Sequence, residues 1–343
     1  MQSLLLLRQS HQQGFLDGSG LALNGDLVRI GTAADALFEQ AAEETIVFAI
    51  SSDQLGEVRL PFEYKAGLDV LPPSTDGAPT TRKRLGAGVV SESLFTDDFH
   101  YLNAERLGPR TAFEFSEYQA GQHRQLGSQG EYTAYFLNRF GDEPVEVEGL
   151  VRPEAKSISL RDQVEAWLAP ICPGIRVNLT AAPGMDLMNL QYSMQLERGV
   201  SNQYRSTNVG FGVTYVLPIL VAVLSSRPKA LILLENPEVH LHPRGQSVIG
   251  QLLSRAATAG IQIMVETHSD HVLNGMRLAV HDGALRPDDL QLHFFSRDSK
   301  GTARVVSPRI DRDGRIDPWP EDFFDEWDRS LDGLLQPGPS DPA

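Results

Sequence analysis

The sequence predicts an α/β fold: a mixed sheet with flanking helices and a β-rich N-terminal part. Two observations carry this. From Val213 onward, apolar strands and helices alternate, and Ala230–Leu234 and Ile261–Val265 read as continuous apolar strands of the buried parallel kind. Before about Gly199 the apolar runs are short and rich in β-branched and aromatic residues, with only a few helical stretches.

Taken in order, Gln2–Arg8 reads as the end of a buried helix. It has no capping residue before it, which predicts a further segment upstream. Gly25–Ile30 reads as a short strand and Ala33–Gln40 as one or two helical turns. Thr45–Ser51 and Glu57–Tyr64, separated by Asp53–Gly56, read as a hairpin, and Leu71–Pro79 as a surface loop. Phe99–Leu102 reads as a strand followed by a polar loop, Asn103–Arg110. Glu131–Arg139 and Leu160–Leu168 read as helices, and Ile175–Ala181 and Leu187–Leu196 as paired strands. Val213–Leu224 is an apolar helix, and Gly245–Ala259 is a helix that Gly260 ends. That helix joins the two apolar strands as a βαβ unit. The helix Asp270–Val280 follows, then strands Leu292–Ser296 and Ala303–Val306. Glu321–Leu335 reads as an acidic amphipathic helix rich in Phe and Trp, and the tail from Gln336 as disordered.

Composition narrows the classes. The chain has 343 residues, 41% hydrophobic and 22% charged, the values of an ordinary globular protein. A single cysteine, Cys172, excludes an intrachain disulfide framework, fits a reducing compartment and reads as a small buried apolar group. No apolar run reaches the ~20 residues of a membrane span, and Met1–Leu7 lacks the basic start of a signal peptide, so a cytoplasmic protein is expected. Net charge is −15, which leaves DNA binding unsupported by any chain-wide basic surface. The basic triplet Arg82, Lys83 and Arg84 reads as a solvated loop.

The chemistry concentrates after Val213. Leu231-Ile232-Leu233-Leu234-Glu235 is a buried strand delivering a carboxylate at its carboxyl end, where ligands bind in open α/β sheets. An acid in that place can hold Mg²⁺. Asn236-Pro237-Glu238-Val239-His240-Leu241-His242-Pro243 follows, and one strand later comes Val265-Glu266-Thr267-His268-Ser269. Upstream, Asn208-Val209-Gly210-Phe211-Gly212 precedes an apolar helix; its small residues and helix N-terminus suit an anion.

These segments resemble the Walker B, D-loop, switch-histidine and signature elements of ABC/SMC-type ATPase heads, in particular the OLD- and RecF-like ATPases. More narrowly, the chain resembles bacterial AAA-type ATPases with a small C-terminal domain of unknown function. The pieces carrying that likeness are Leu4–Ser10, Leu23–Thr32, Tyr101–Pro109, Gly127–Tyr132, Asn208–Leu220, Leu231–Pro243, Glu266–Arg277 and Asp313–Asp325.

The resemblance implies a P-loop NTPase-like head over residues 1–310, with a hairpin and loop insertion at 45–95, and an accessory segment at 311–343. It implies ATP and Mg²⁺ as cofactors. Glu235 would hold Mg²⁺, and His268 would contact the γ-phosphate. Asn208, Gly210 and Gly212 would face nucleotide across a homodimer formed through the signature and D-loop faces, and an effector protein would be a further partner. Some members of the wider superfamily act in DNA repair or phage defence.

Two departures stand against a complete site. None of the five lysines (Lys65, Lys83, Lys156, Lys229 and Lys300) follows a glycine, so there is no Gly-x-x-x-x-Gly-Lys-Ser/Thr loop to cradle phosphates. In the family that loop lies just before the helix corresponding to Gln2–Ser10, so the sequence is expected to start a few residues after it. The place of the catalytic Glu holds Asn236, whose amide cannot act as a general base; Glu238 or Glu266 would have to replace it.

Two other readings compete. A degenerate head would dimerise or bind a partner without turnover. A metal-dependent hydrolase would use His240, His242 and His268, with Asp270 and His271 nearby, but the chain lacks the eight βα repeats of that barrel.

Overall fold

The computed structural model describes residues 1–16, 18–52, 56–74, 92–298 and 301–336. Arg82, Lys83, Arg84, most of the Leu71–Pro79 loop and nearly all of the tail lie outside the described residues.

Helix α1 (Gln2–Gln12) is longer than its apolar run. Gln9 and Ser10, though polar, are buried, because they bond strand β1 (Leu21–Ala22): Gln9 Nε2 donates to Ala22 O at 3.0 Å, and Ser10 Oγ accepts from Ala22 N at 2.8 Å. Gly25–Ile30 is not a strand. Gly25 N bonds Val28 O, and the Asn24 amide bonds Gly31 N and O, closing a tight turn. A single helical turn, α2 (Ala33–Ala36), follows. Strands β2 (Thr45–Ser52) and β3 (Gly56–Glu63) form the expected antiparallel hairpin, and β4 (Val70–Leu71) pairs with β1.

Strand β5 (Phe99–Leu102) enters the central sheet. After it come β6 (Phe113–Glu114) and helices α3 (Thr133–Phe140) and α4 (Leu160–Leu168). Then β7 (Ile175–Ala182) and β8 (Leu187–Leu196) pair along their length. The short strands β9 (Gly199–Val200) and β10 (Tyr204–Arg205) join the same sheet. Cys172 is half-buried against the core beside this sheet, and burial pushes its thiol pKa up.

Helix α5 (Phe211–Ser225), β11 (Leu231–Glu235), α6 (Pro243–Thr258), β12 (Gln262–Glu266) and α7 (Asp270–His281) realise the β/α alternation. The C-terminal part holds two antiparallel pairs, β13 (Phe294–Arg297) with β14 (Ala303–Val306) and β15 (Arg309–Ile310) with β16 (Ile316–Asp317). Helix α8 (Glu326–Leu334) follows. It starts five residues later than its composition suggests. Phe323 is buried against Phe294 and Trp319, and Asp322 and Phe324 take positive φ, so this stretch is a turn.

The central sheet is parallel, in the order β12-β11-β5. Its faces belong to two cores. Leu231 and Leu233 pack with Phe99, Tyr101 and the α1 leucines, whereas Ile232 and Leu234 join the larger core with α5 and α6. Burial on both faces is why β11 is a continuous apolar run. Strand β12 departs from the fully buried strand expected of Ile261–Val265. It lies at the sheet edge among the described residues, and α1 covers β5 and β11 but leaves Met264 42% exposed.

Candidate functional site

The carboxyl ends of β5, β11 and β12 converge because all three strands run parallel. Glu235 and Glu266 are register partners, so their side chains leave the same face of the sheet. Glu235 is half-buried and held at both oxygens: Tyr101 Oη donates to Oε1 at 2.9 Å, and Ala104 N donates to Oε2 at 3.1 Å. Burial and the Glu235 carboxylate raise the Tyr101 phenol pKa, so it stays a donor. Glu266 is exposed.

Arg106 lies beneath this site, 2% exposed. Its Nη1 donates to Asn103 O at 2.9 Å and Glu235 O at 2.6 Å, and its Nη2 donates to Asn236 O at 2.7 Å. Burial lowers its pKa to about 10, against the opposing pull of Glu238 and Glu235, so the guanidinium stays charged at neutral pH. Asn236 has φ 44° and donates its backbone N–H to Glu266 O at 2.8 Å. The peptide after Glu235 is thereby tied to β12 and to the loop after β5.

Glu238 joins the turn after β11 to the loop after β12. Its Oε2 accepts from Thr267 Oγ1 at 2.7 Å and its Oε1 from His268 N at 2.9 Å. Ser269 caps α7, its Oγ accepting from Val272 N at 3.1 Å. The exposed His268 ring follows Glu266 by two residues, on the loop leading from the strand beside Glu235.

The other expected histidines do different work. His240 packs its ring 4.6 Å from Tyr215 and 5.5 Å from Phe211. His242 is the N-cap of α6, its Nδ1 accepting from Arg244 N at 3.4 Å. Among the described residues no three His, Cys, Asp or Glu side chains are grouped to hold a metal. Asp270 and His271 pair with each other at 3.7 Å on the first turn of α7.

In the signature-like segment, Asn208 does not cap α5. It ends a short 3₁₀ turn, and Gly210 is the cap, without a side-chain bond. Gly212 is a contact point: a Cβ there would meet His240 O at 2.5 Å, so only glycine lets α5 approach the turn after β11 this closely.

Sequence reasoning passed over Tyr101, Ala104 and Arg106. Besides the likeness carried by Tyr101–Pro109, their signal is position, at the carboxyl end of a parallel strand and in the loop that directly follows it.

A family model described as "AAA domain, putative AbiEii toxin, Type IV TA system" matches residues 69–274, more than half of the chain. The chain belongs to this AAA-domain family. It thus has the P-loop NTPase-like α/β fold of an AAA domain, and membership implies nucleotide binding, usually with Mg²⁺. A second model, "Protein of unknown function (DUF3696)", matches residues 285–334, the small C-terminal part.

Among solved structures, an SMC head bound to the C-terminal winged-helix domain of ScpA is 12% identical, with 91% of this chain and 86% of that chain covered and a TM-score of 0.47. A structure from a study of ATP-driven dimerization of SMC ATPases is 12% identical, covering 60% of this chain and 99% of that one, with a TM-score of 0.35. The Pyrococcus furiosus Smc head is also 12% identical, covering 52% and 38%, with a TM-score of 0.32. No curated protein matches the chain. Among the described residues, no helix is long and apolar enough to cross a membrane.

The site's donors suit part of such a ligand. Glu235 and Glu266 are hard oxygen donors of the kind Mg²⁺ prefers. Asn103 Oδ1 and Arg106 Nε beside them are buried without a partner. The phosphate-cradling loop has no counterpart in the sequence.

Proposed function

We propose that this chain supplies the Mg²⁺-binding and γ-phosphate-sensing part of an ABC-type ATP site, and that by itself it binds ATP weakly. The supporting observation is the convergence of Glu235, Glu266 and the His268 loop at one end of a parallel sheet, with Glu238 bracing that loop.

Glu235 accepts two hydrogen bonds and keeps lone pairs for a cation. Bound Mg²⁺ would neutralise charge on phosphate oxygens. The exposed His268 ring is the donor toward a terminal phosphate. Asn236 cannot take a proton, and both oxygens of Glu238 are engaged by the His268 loop. Glu266, exposed at the register position of Glu235, is the better base for an attacking water. Asn208, Gly210, Phe211 and His240 are exposed beside the start of α5, and this face would meet a second copy. A place in DNA repair or phage defence rests on resemblance alone.

Weak binding follows from what these residues leave ungripped. The β-phosphate is held elsewhere in the superfamily by loop amides and a lysine, which the 343 residues lack. Each missing charge-assisted hydrogen bond is worth about 1.5–3 kcal/mol, and ~1.4 kcal/mol is tenfold in affinity.

Calorimetric titration of Mg·ATP into the chain, and into the same chain preceded by a strand and a Gly-x-x-x-x-Gly-Lys-Ser loop, tests both parts. We expect no binding below millimolar ATP in the first and micromolar binding with turnover in the second. Turnover should be lost with Glu235→Gln and reduced, with affinity kept, in Glu266→Gln. Micromolar binding by the unextended chain would overturn the weak-binding claim. Turnover indifferent to Glu235→Gln would overturn the assignment of the site.

A further inference from the structure

Helix α8, within the segment matched to the family of unknown function, presents an apolar face that nothing among the described residues covers. None of its residues is buried. Trp327 is 74% exposed, Leu331 44%, Leu334 82% and the following Leu335 74%. At ~100° per residue these four side chains lie within roughly 100° of arc, a narrow stripe of the kind that packs on another helix.

Among the described residues the helix is anchored at its base. Phe323 packs on Phe294 and Trp319, and Arg329 pairs with Asp322 at 2.7 Å and Asp325 at 3.0 Å. A nine-residue helix is short for independent stability in water, so its apolar stripe gains most from a cover.

Charge decides what that cover is. Between Glu321 and Leu335 there are six acids and one arginine. On the helix itself Asp328 and Asp332 border the stripe on one side, and on the other Ser330 borders it with Glu326 just beyond. A second copy would bring two sets of acids together. An anionic lipid surface would repel them. We infer that α8 docks a basic amphipathic helix of a partner protein, its leucine face meeting Trp327, Leu331 and Leu334 and its lysines or arginines meeting the flanking acids.

The test uses the full chain and three probes: a short amphipathic helical peptide with a leucine face flanked by lysines, its twin with glutamates for lysines, and anionic phospholipid vesicles. Trp327 fluorescence reports burial, with Trp327→Phe identifying the signal. The lysine peptide should bind with a blue shift, more weakly as salt rises. The double variant Leu331→Asp/Leu334→Asp should weaken binding at least ~tenfold. Both positions are exposed, so the fold should survive, which far-UV circular dichroism checks.

Three results would overturn the proposal. One is equal binding of both peptides, or binding of neither. Another is binding to vesicles in place of the lysine peptide. The third is a wild-type dimer in sedimentation velocity that the double variant turns to monomer, which would name a second copy as the occupant.

Discussion

Removing the Glu238 carboxylate should release the loop that carries His268 while leaving the sheet intact. Glu238 accepts two hydrogen bonds from that loop, from Thr267 Oγ1 at 2.7 Å and His268 N at 2.9 Å. A hydrogen bond to a charged group is worth about 1.5–3 kcal/mol. Glu238 is only half-buried, so water competes, and about 2–3 kcal/mol for the pair is the more suitable figure. In Glu238→Ala, local opening of residues 267–269 should therefore become roughly 30–150-fold more frequent. Glu238→Gln keeps one acceptor oxygen and should fall between the two. Hydrogen–deuterium exchange of the peptide spanning Glu266 to Val272, under conditions where exchange tracks the opening equilibrium, measures this directly. Unchanged protection of the His268 amide would refute the bracing role. Faster exchange spread evenly over β7 and β8 would show global destabilisation instead.

Two further outcomes follow from named contacts. His100 is buried, and burial, with the charges of Arg8 and Arg124, lowers its pKa from 6.5 to about 4. A base with a depressed folded pKa contributes its stability in full above 6.5 and loses it as pH falls toward 4, because only the unfolded chain takes up the proton across that window. At ~1.4 kcal/mol per pH unit, the chain should lose about 3 kcal/mol more than His100→Gln between neutral pH and 4; urea unfolding at stepped pH checks it, and parallel curves would contradict it. Gly212→Val would drive a Cβ to 2.5 Å from His240 O, forcing α5 off the turn after β11 at a cost of about 1–3 kcal/mol; a Val variant with an unchanged urea midpoint would show that α5 has slack there.

The βαβ unit was legible because its signals are local. Two apolar runs, a helix between them and Gly260 as a stop need no tertiary knowledge, and the register that pairs Glu235 with Glu266 follows from strand ends in parallel alignment. The errors are tertiary. Ile263-Met264-Val265 is as apolar as a buried strand, and the arrangement of α1 over β5 and β11 is what leaves one face of it open. The start of α8 was missed because Phe323, an acceptable helix residue, is used as an anchor in a turn.

Arg106 and Asn236 show why a motif alone misplaces function. A left-handed backbone at position 236, φ 44°, is tolerated best by Gly and Asn, and poorly by a longer acid. There the Asn236 carbonyl reaches the Arg106 guanidinium and its N–H reaches Glu266 O, so one residue ties the end of β11 to the loop after β5 and to β12. A glutamate in its place would have to hold that conformation with a poorer residue. The missing carboxylate thus reads as a backbone requirement at 236, and the acid available on the same face is Glu266, one strand over and in register with Glu235. Arg106 serves the same end. Its charge is met by the carbonyls of Asn103, Glu235 and Asn236, which fixes where the Glu235 carboxylate points without neutralising it.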